Sequence, residues 1–422
     1  MAAVSRTKSQ FGLECMIRRT NFALCILMIV ADCGIAAGAV ASSGVDSQLI
    51  ARAAADACRA QTVFLGGPGS HGSAKSLEFE GALIEKLVSD CHFNRVIFEA
   101  PVYDFLDIER RLQRGKIISK QEILDAAGGI WSDAKQFQTV AGFLATRLQK
   151  KEIILEGIDD QISATGDYAH SRLATELANY LPESDQKVCQ DKLQTHLNWG
   201  YNAAHTYSPI DKEVLSVCLH QISDELSRRD PHETWIPRIT SASLSRNIFR
   251  DFLYDNDWVS RFNDRDRSMA TNFENLSKEH PMAKTIVWGA VIHMAKSLKS
   301  VSGDISKLEA FATLVVQDLH LQSFVIATSS LSGTNGRAKS EPIPNAPIDS
   351  IEAKVFENTS DSVIYARAGQ ISKLGPSQAR IVTSDYTKAD WKNVVDALAI
   401  FREDTAVSMI QRREVSASTK SP

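Results

Sequence analysis

Short runs of β-branched and other apolar residues, each bounded by glycine or polar residues, recur at 62–66, 95–99, 153–157, 285–289, 323–328 and 380–383. Runs of this length fit strands buried on both faces of a sheet. Helical patterns lie between several of them; in residues 76–91, Leu77, Ala82, Leu83, Leu87 and Val88 recur on one side. Alternation of strand and helix predicts an α/β fold with a mostly parallel central sheet flanked by helices. Residues 168–257 carry no strand pattern and instead repeat Leu173, Leu177 and Leu181, then Val214, Leu219 and Ile222, so they read as a helical insertion in a single α/β domain. The polar stretch 329–345, with Gly333, Gly336, Pro342 and Pro344, reads as a mobile connection or lid. The polar residues 411–422 read as a disordered tail.

The domain is expected at 42–410 because the N-terminus has the pattern of an export signal. Arg18 and Arg19 form a basic region, 22–30 an apolar one, and Ala39-Val40-Ala41 supplies small residues for cleavage. Asp32 and Gly34 interrupt the apolar stretch short of a spanning length, which favours cleavage near Ala41 over stable membrane insertion. Asp32 also argues against a lipid-modified Cys33. The expected location is periplasmic or secreted. Cleavage leaves Cys58, Cys91, Cys189 and Cys218, enough for one or two disulfides in an oxidising compartment. Cys189 and Cys218, on two consecutive helical patterns, are the favoured pair. With 44% hydrophobic and 23% charged residues the chain falls outside the disordered and collagen-like classes. Its net charge of −4, which becomes −6 without 1–41, argues against nucleic acid as the main partner. Nothing in the sequence fixes an oligomeric state.

In open α/β sheets the ligand site lies beyond the carboxyl ends of the strands. Here His71 and Gly72 follow the first run, Glu99 ends the second, Asp159 and Asp160 follow the third, and His293 follows Trp288-Gly289 of the fourth. If these strands are neighbours, two imidazoles and several carboxylates share one edge, which suits general acid/base chemistry. Other readings use the same residues. Pro68-Gly69-Ser70-His71-Gly72 is one residue from a Gly-x-Ser-x-Gly elbow with Ser70 as nucleophile, although Pro68 is a poor first residue for that crowded turn. The same loop could cradle phosphate, but it lacks the Walker lysine pattern and the dinucleotide spacing. No metal is expected: His205, His220 and His232 lack ligand spacing. Trp199, Tyr201 and Tyr207 line either a pocket or a helix interface.

Several segments, in order along the chain, resemble the erythromycin esterase family, whose members open macrolide lactone rings with water. Residues 65–72 (Leu-Gly-Gly-Pro-Gly-Ser-His-Gly) are similar to its Gly-Glu-x-x-His-Gly segment, and 93–99 to its strand ending in glutamate. Residues 156–161 resemble its Gly-Phe-Asp segment, and 265–272 match Arg-Asp-x-x-Met-Ala-x-Asn. Residues 284–293 are similar to Trp-x-His-Asn-x-His, and 346–352 to Pro-x-x-Ser-x-Glu. The resemblance implies catalytic roles for four residues: His71 as the base that activates water, Glu99 beside it, and Arg265 and His293 at the substrate carbonyl. It places Asp159, Asn272 and Lys75 as substrate-binding candidates and implies no cofactor. The 265–272 block also has a plainer explanation, since Arg265, Met269 and Asn272 share one helix face.

The departures are specific. Pro68 replaces the glutamate before the histidine, Ala290 and Val291 replace His-Asn, and the helix after His-Gly carries Glu78 and Glu80 where a basic residue is expected. The reading is a hydrolase acting with His-activated water on a small-molecule ester, lactone or similar carbonyl, not necessarily a macrolide. The alternative is a ligand-binding relative that kept the fold and lost the reaction.

Overall fold

The computed structural model describes residues 46–163, 165–253 and 257–410; the expected signal peptide at 1–41 and tail at 411–422 lie outside them. The chain runs through α1 (Ser47–Ala57), β1 (Thr62–Gly67), α2 (Ala74–Cys91) and β2 (Arg95–Pro101). Helices α3 (Val102–Gln113), α4 (Lys120–Ala127), α5 (Gly129–Ser132) and α6 (Lys135–Gln149) lead to β3 (Ile154–Asp159). Then come α7 (Asp167–Ser171), α8 (Leu173–Ala178), α9 (Glu183–Leu197), α10 (Pro209–Ser227), α11 (Pro231–Asp251) and α12 (Trp258–Glu279), with no strand among the described residues there. Next are β4 (Thr285–Ala290), α13 (Val291–Met294), α14 (Phe311–Leu319), β5 (Ser323–Asn335) and β6 (Glu341–Pro342). The chain closes with α15 (Ile351–Phe356), β7 (Val363–Arg367), α16 (Ala368–Leu374), a small hairpin of β8 (Ser377–Ala379) and β9 (Thr387–Ala389), and β10 (Ala397–Asp404).

The main sheet has the order β3-β2-β4-β1-β5-β10-β7, with β6 paired to the far end of β5. All neighbours from β3 to β10 run parallel, and β7 closes the edge antiparallel to β10. Strand residues alternate between two apolar layers. Val63, Leu65, Val96, Phe98, Ile286 and Trp288 face one, packed with α1, α2 and α4 to α6. Phe64, Ile97, Val287, Ala327 and Leu398 face the other, with α7 to α14. Apolar side chains on both faces explain why the strands read as unbroken hydrophobic runs.

Two expectations require correction. Residues 380–383 form no strand: Ile381 and Val382 are buried, but the Arg380 N–H donates to Glu352 Oε1 at 2.9 Å, a side chain taking the place of a ladder partner. The last parallel strand is β10 instead, whose apolar run 397–401 has too little pattern to separate strand from buried helix. Residues 329–335, expected in a lid, continue β5, with Ser332 and Gly333 in register with Glu403 and Asp404 of β10. Serines can extend this strand because their hydroxyls are satisfied inside: Ser329 donates to Glu352 at 2.6 Å and Ser330 to Asp404 at 3.0 Å.

Two disulfides staple the helical layers. Cys189–Cys218 joins α9 to α10 with Cα atoms 5.7 Å apart, and Cys58–Cys91 joins the ends of α1 and α2 at 5.2 Å. Among the described residues no helix is long and apolar enough to cross a membrane.

Candidate active site

The four strands β3, β2, β4 and β1 are consecutive neighbours, so their carboxyl ends bring Asp159, Glu99, His293 and His71 to one edge. Arg265 reaches in from α12. Its Nη2 donates to Glu99 Oε1 at 2.9 Å and to Asp159 Oδ2 at 2.5 Å, and its Nη1 lies 3.1 Å from His293 Nε2. His293 Nε2 is also 3.3 Å from Glu99 Oε1, and His71 Nε2 is 3.9 Å from Glu99 Oε2. Glu99 is thus the hub, with its second oxygen accepting the Ala290 N–H at 2.7 Å. That approach requires glycine at 289, where an added Cβ would stand 2.8 Å from the Glu99 Cβ and Oε2.

His71 sits on a turn closed by its own N–H donating to Pro68 O at 2.8 Å, with φ of 49°. This left-handed conformation is uncommon for a residue with a side chain and holds the imidazole over the sheet edge. The ring meets Trp131 edge-on at 4.9 Å, while the Trp131 indole N–H donates to the Glu99 carbonyl. The loop passes directly into α2, whose start is fixed by Ser73: its Oγ accepts the Ser76 N–H at 3.0 Å and donates to Asp404 at 2.5 Å.

Burial lowers the His71 pKa; Glu99 pulls it up, and His293, Arg337 and Arg265 push it down further. The ring is therefore neutral near pH 7. Glu99 behaves oppositely. Burial alone would raise its pKa, but His293, Arg265, His71 and the Ala290 N–H together hold it at about 2. Burial opposes charge on His293 as well, yet Asp266 and Glu99 raise its pKa. His293 Nδ1 lies 2.7 Å from Asp266 Oδ1, and the ring stacks on Phe262 at 4.8 Å. A neutral His293 accepts from Arg265 through Nε2, whereas a charged one donates from Nε2 toward Glu99, so protonation rewires the cluster. Arg265 remains cationic: burial disfavours its charge, and Asp159 and Glu99 more than compensate.

Lys75 and Asn272 stand apart from this cluster. Lys75 pairs with Glu78 at 3.3 Å on the outside of α2 and borders a separate concavity with Asp46 and Glu403. Asn272 is fully buried, donating to Ile158 O and Ser243 Oγ and accepting from Arg246; it braces α11 and α12 against the end of β3. Asp160 is also buried, in a two-point pair with Arg250. Ser70 is exposed and accepts the Gly72 N–H; among the described residues no imidazole hydrogen-bonds it, so the elbow alternative lacks a base. Tyr201 and Tyr207 stack at 4.0 Å, with Tyr207 hydrogen-bonded to His196, and line a small concavity with Lys212, Asp251 and Phe252 that none of the cluster residues borders, while Trp199 is exposed beside His170.

Residues that the sequence reading passed over contribute here. Asp266 orients His293, and its signal was its place within the 265–272 block. Glu80, noted there only as a departure, is 1% exposed and accepts the Trp288 indole N–H at 2.7 Å, while its other oxygen has no partner. Burial, only partly offset by Trp288, raises its pKa to about 8, so at neutral pH it is a carboxylic acid. It lines, with His71, Pro68, Trp131 and Trp288, a cavity of about 10 Å³, room for one water. Arg337, beside the Gly129 and Ile130 carbonyls, places a further cation near His71.

The strand order and this edge cluster define an α/β protein with an imidazole, carboxylate and guanidinium site. No family model matches the sequence, and no curated protein does. Solved structures do share the fold, an erythromycin esterase among them. A mutant of the erythromycin esterase EreC in its open conformation aligns with a TM-score of 0.58 and 15% identity, over 84% of this chain and 93% of that one. A succinoglycan biosynthesis protein aligns at 0.64 and 15%, over 85% and 90%. A Bacillus cereus protein aligns at 0.62 and 14%, over 86% and 99%.

Proposed function

We propose that this protein is a hydrolase that acts on an ester, lactone or similar carbonyl of a small molecule with water activated by His71. The supporting observation is a neutral, buried His71 facing an ionised Glu99 inside a cluster that also holds Arg265 and His293. His71 Nε2 takes a proton from water as the oxygen attacks the carbonyl carbon. Charge passes to the carbonyl oxygen, where the Arg265 guanidinium and the charged form of His293 stabilise it. Collapse of the tetrahedral intermediate breaks the bond to the leaving oxygen, which receives the proton from the His71 imidazolium and departs as alcohol. Glu99 favours the imidazolium between these steps. The esterase named among the structural neighbours shares the fold, and the two disulfides accord with an exported, periplasmic or secreted protein.

The test is a screen of activated esters and lactones with wild type and His71→Ala. Turnover is expected to fall about a hundredfold or more in the variant. The wild-type kcat/KM should rise with pH through a midpoint below 6.5, the direction of the His71 shift. Turnover equal in both proteins on every substrate ends the hydrolase reading. It would favour a ligand-binding relative, which the engagement of Arg265 by two carboxylates also suits.

A further inference from the structure

A second group of ionisable side chains lies at the opposite end of the strands. Arg95 opens β2, Glu156 is near the start of β3, Glu109 projects from α3 and His280 caps the end of α12. His280 Nε2 is 3.5 Å from Glu109 Oε1 and 3.6 Å from Glu156 Oε1. One ligand atom from each of the three residues lies within 4.8 Å of the others. Glu156 is 2% exposed and its Oε1 has no hydrogen-bond partner; the same is true of His280 Nε2 and Glu109 Oε2. A buried polar atom without a partner is costly, and Glu156 Oε1 and His280 Nε2, with Glu109 Oε1 3.5 Å from the latter, surround a point that an ion between them would satisfy.

We propose that Glu109, Glu156 and His280 bind a divalent transition-metal ion, and that zinc is the ion they suit. An ion about 2.0–2.1 Å from each donor in tetrahedral geometry sets its ligands about 3.4 Å apart. The two distances to His280 are close to that value. One imidazole with two carboxylates is a zinc-type donor set, and three protein ligands leave a fourth position for water. Arg95 plays the outer part. Its Nε donates to Glu156 Oε2 at 2.6 Å, its Nη1 donates to Ser277 at 2.9 Å, and its guanidinium lies over Phe273. It therefore fixes the Glu156 carboxylate with Oε1 turned toward His280. With His280 neutral, the two carboxylates outweigh the one guanidinium, and the pocket then carries a net negative charge. Side chains of His280 and Glu109 are 19% and 16% exposed, which gives an ion a way in. The competing occupant is a proton on His280, which would make the group an ion-pair network.

Zinc titrated calorimetrically into chelator-treated full-length protein distinguishes the two. One zinc per chain is expected, with affinity at least about tenfold weaker in both His280→Ala and Glu109→Gln. Removing the exposed His232 should leave it unchanged. Glu109→Gln alters a partly exposed helix position, so it guards against misfolding of the first variant, and circular dichroism verifies both. Zinc should also raise the Tm of wild type but not of His280→Ala. No stoichiometric zinc, or wild-type affinity in either variant, overturns the proposal in favour of the proton.

Discussion

Glu80→Gln isolates the energetic consequence of holding a carboxylic acid beside His71. In the unfolded chain this glutamate ionises with a pKa near 4.5, whereas in the fold it keeps its proton up to about 8. Below the lower value both states are protonated and the group is neutral in each. Between the two values the folded state binds a proton that the unfolded state has released, so stability falls as pH rises. The slope is about 1.4 kcal/mol per pH unit, and over the full interval the loss is about 5 kcal/mol. Above the upper value the loss is complete. The substituted amide keeps the shape and can accept the Trp288 N–H through its carbonyl, but it has no proton to lose. Urea unfolding of both proteins from about pH 5 to about pH 9 should therefore give free energies that diverge, with the variant gaining on the wild type by several kcal/mol. Other titrating groups are common to both proteins and cancel in the difference. Parallel curves across this range would refute a buried, protonated Glu80.

Two further outcomes follow from the same structure. Asp266→Asn removes the carboxylate that receives both His293 Nδ1 and the Phe311 N–H; unfolding should become easier by about 3 kcal/mol, and the His293 pKa, followed by NMR, should drop. An unchanged imidazole titration would contradict the assigned pairing. Replacing Cys189 and Cys218 together by alanine opens a cross-link spanning 29 residues, with an expected cost of about 3–4 kcal/mol by denaturant titration; a cost under about 1 kcal/mol would mean that the helices hold α9 on α10 without it.

What the sequence made legible follows from the parallel sheet. Residues that end adjacent strands must share an edge, so Glu99, Asp159 and His293 could be placed with His71 once four apolar runs were recognised as strands. The adjacency itself, β3-β2-β4-β1, required the fold. Asn272 lies seven positions after Arg265, two helical turns along the same face, yet it falls under α11 and is spent on the Ile158 carbonyl and Ser243. Linear spacing fixes the face of a helix and says nothing of which neighbour covers each turn. Lys75, named for the basic residue expected on the helix after His-Gly, pairs instead with Glu78 on the outward side of α2. Glu109, Glu156 and His280 could not be joined by spacing at all, because three separate elements bring them together.

The departures at Pro68 and Ala290 have different structural consequences from those their chemistry suggests. Ala290 supplies no imidazole, but its backbone N–H donates to Glu99 at 2.7 Å, so the hub carboxylate is not left without a partner on that side. A backbone donor holds position without adding a charge that titrates, which helps keep Glu99 ionised. Pro68 supplies no carboxylate, but its carbonyl closes the turn that raises His71 over the edge. The acid that does approach this part of the cavity comes from α2, as Glu80, and it is neutral where a loop glutamate beside water would be charged. His71 consequently has one ionised neighbour in Glu99 and one protonated neighbour across the cavity. In the proposed hydrolysis the first would favour the imidazolium formed as water gives up its proton, and the second can donate a hydrogen bond to whatever oxygen enters the space between them.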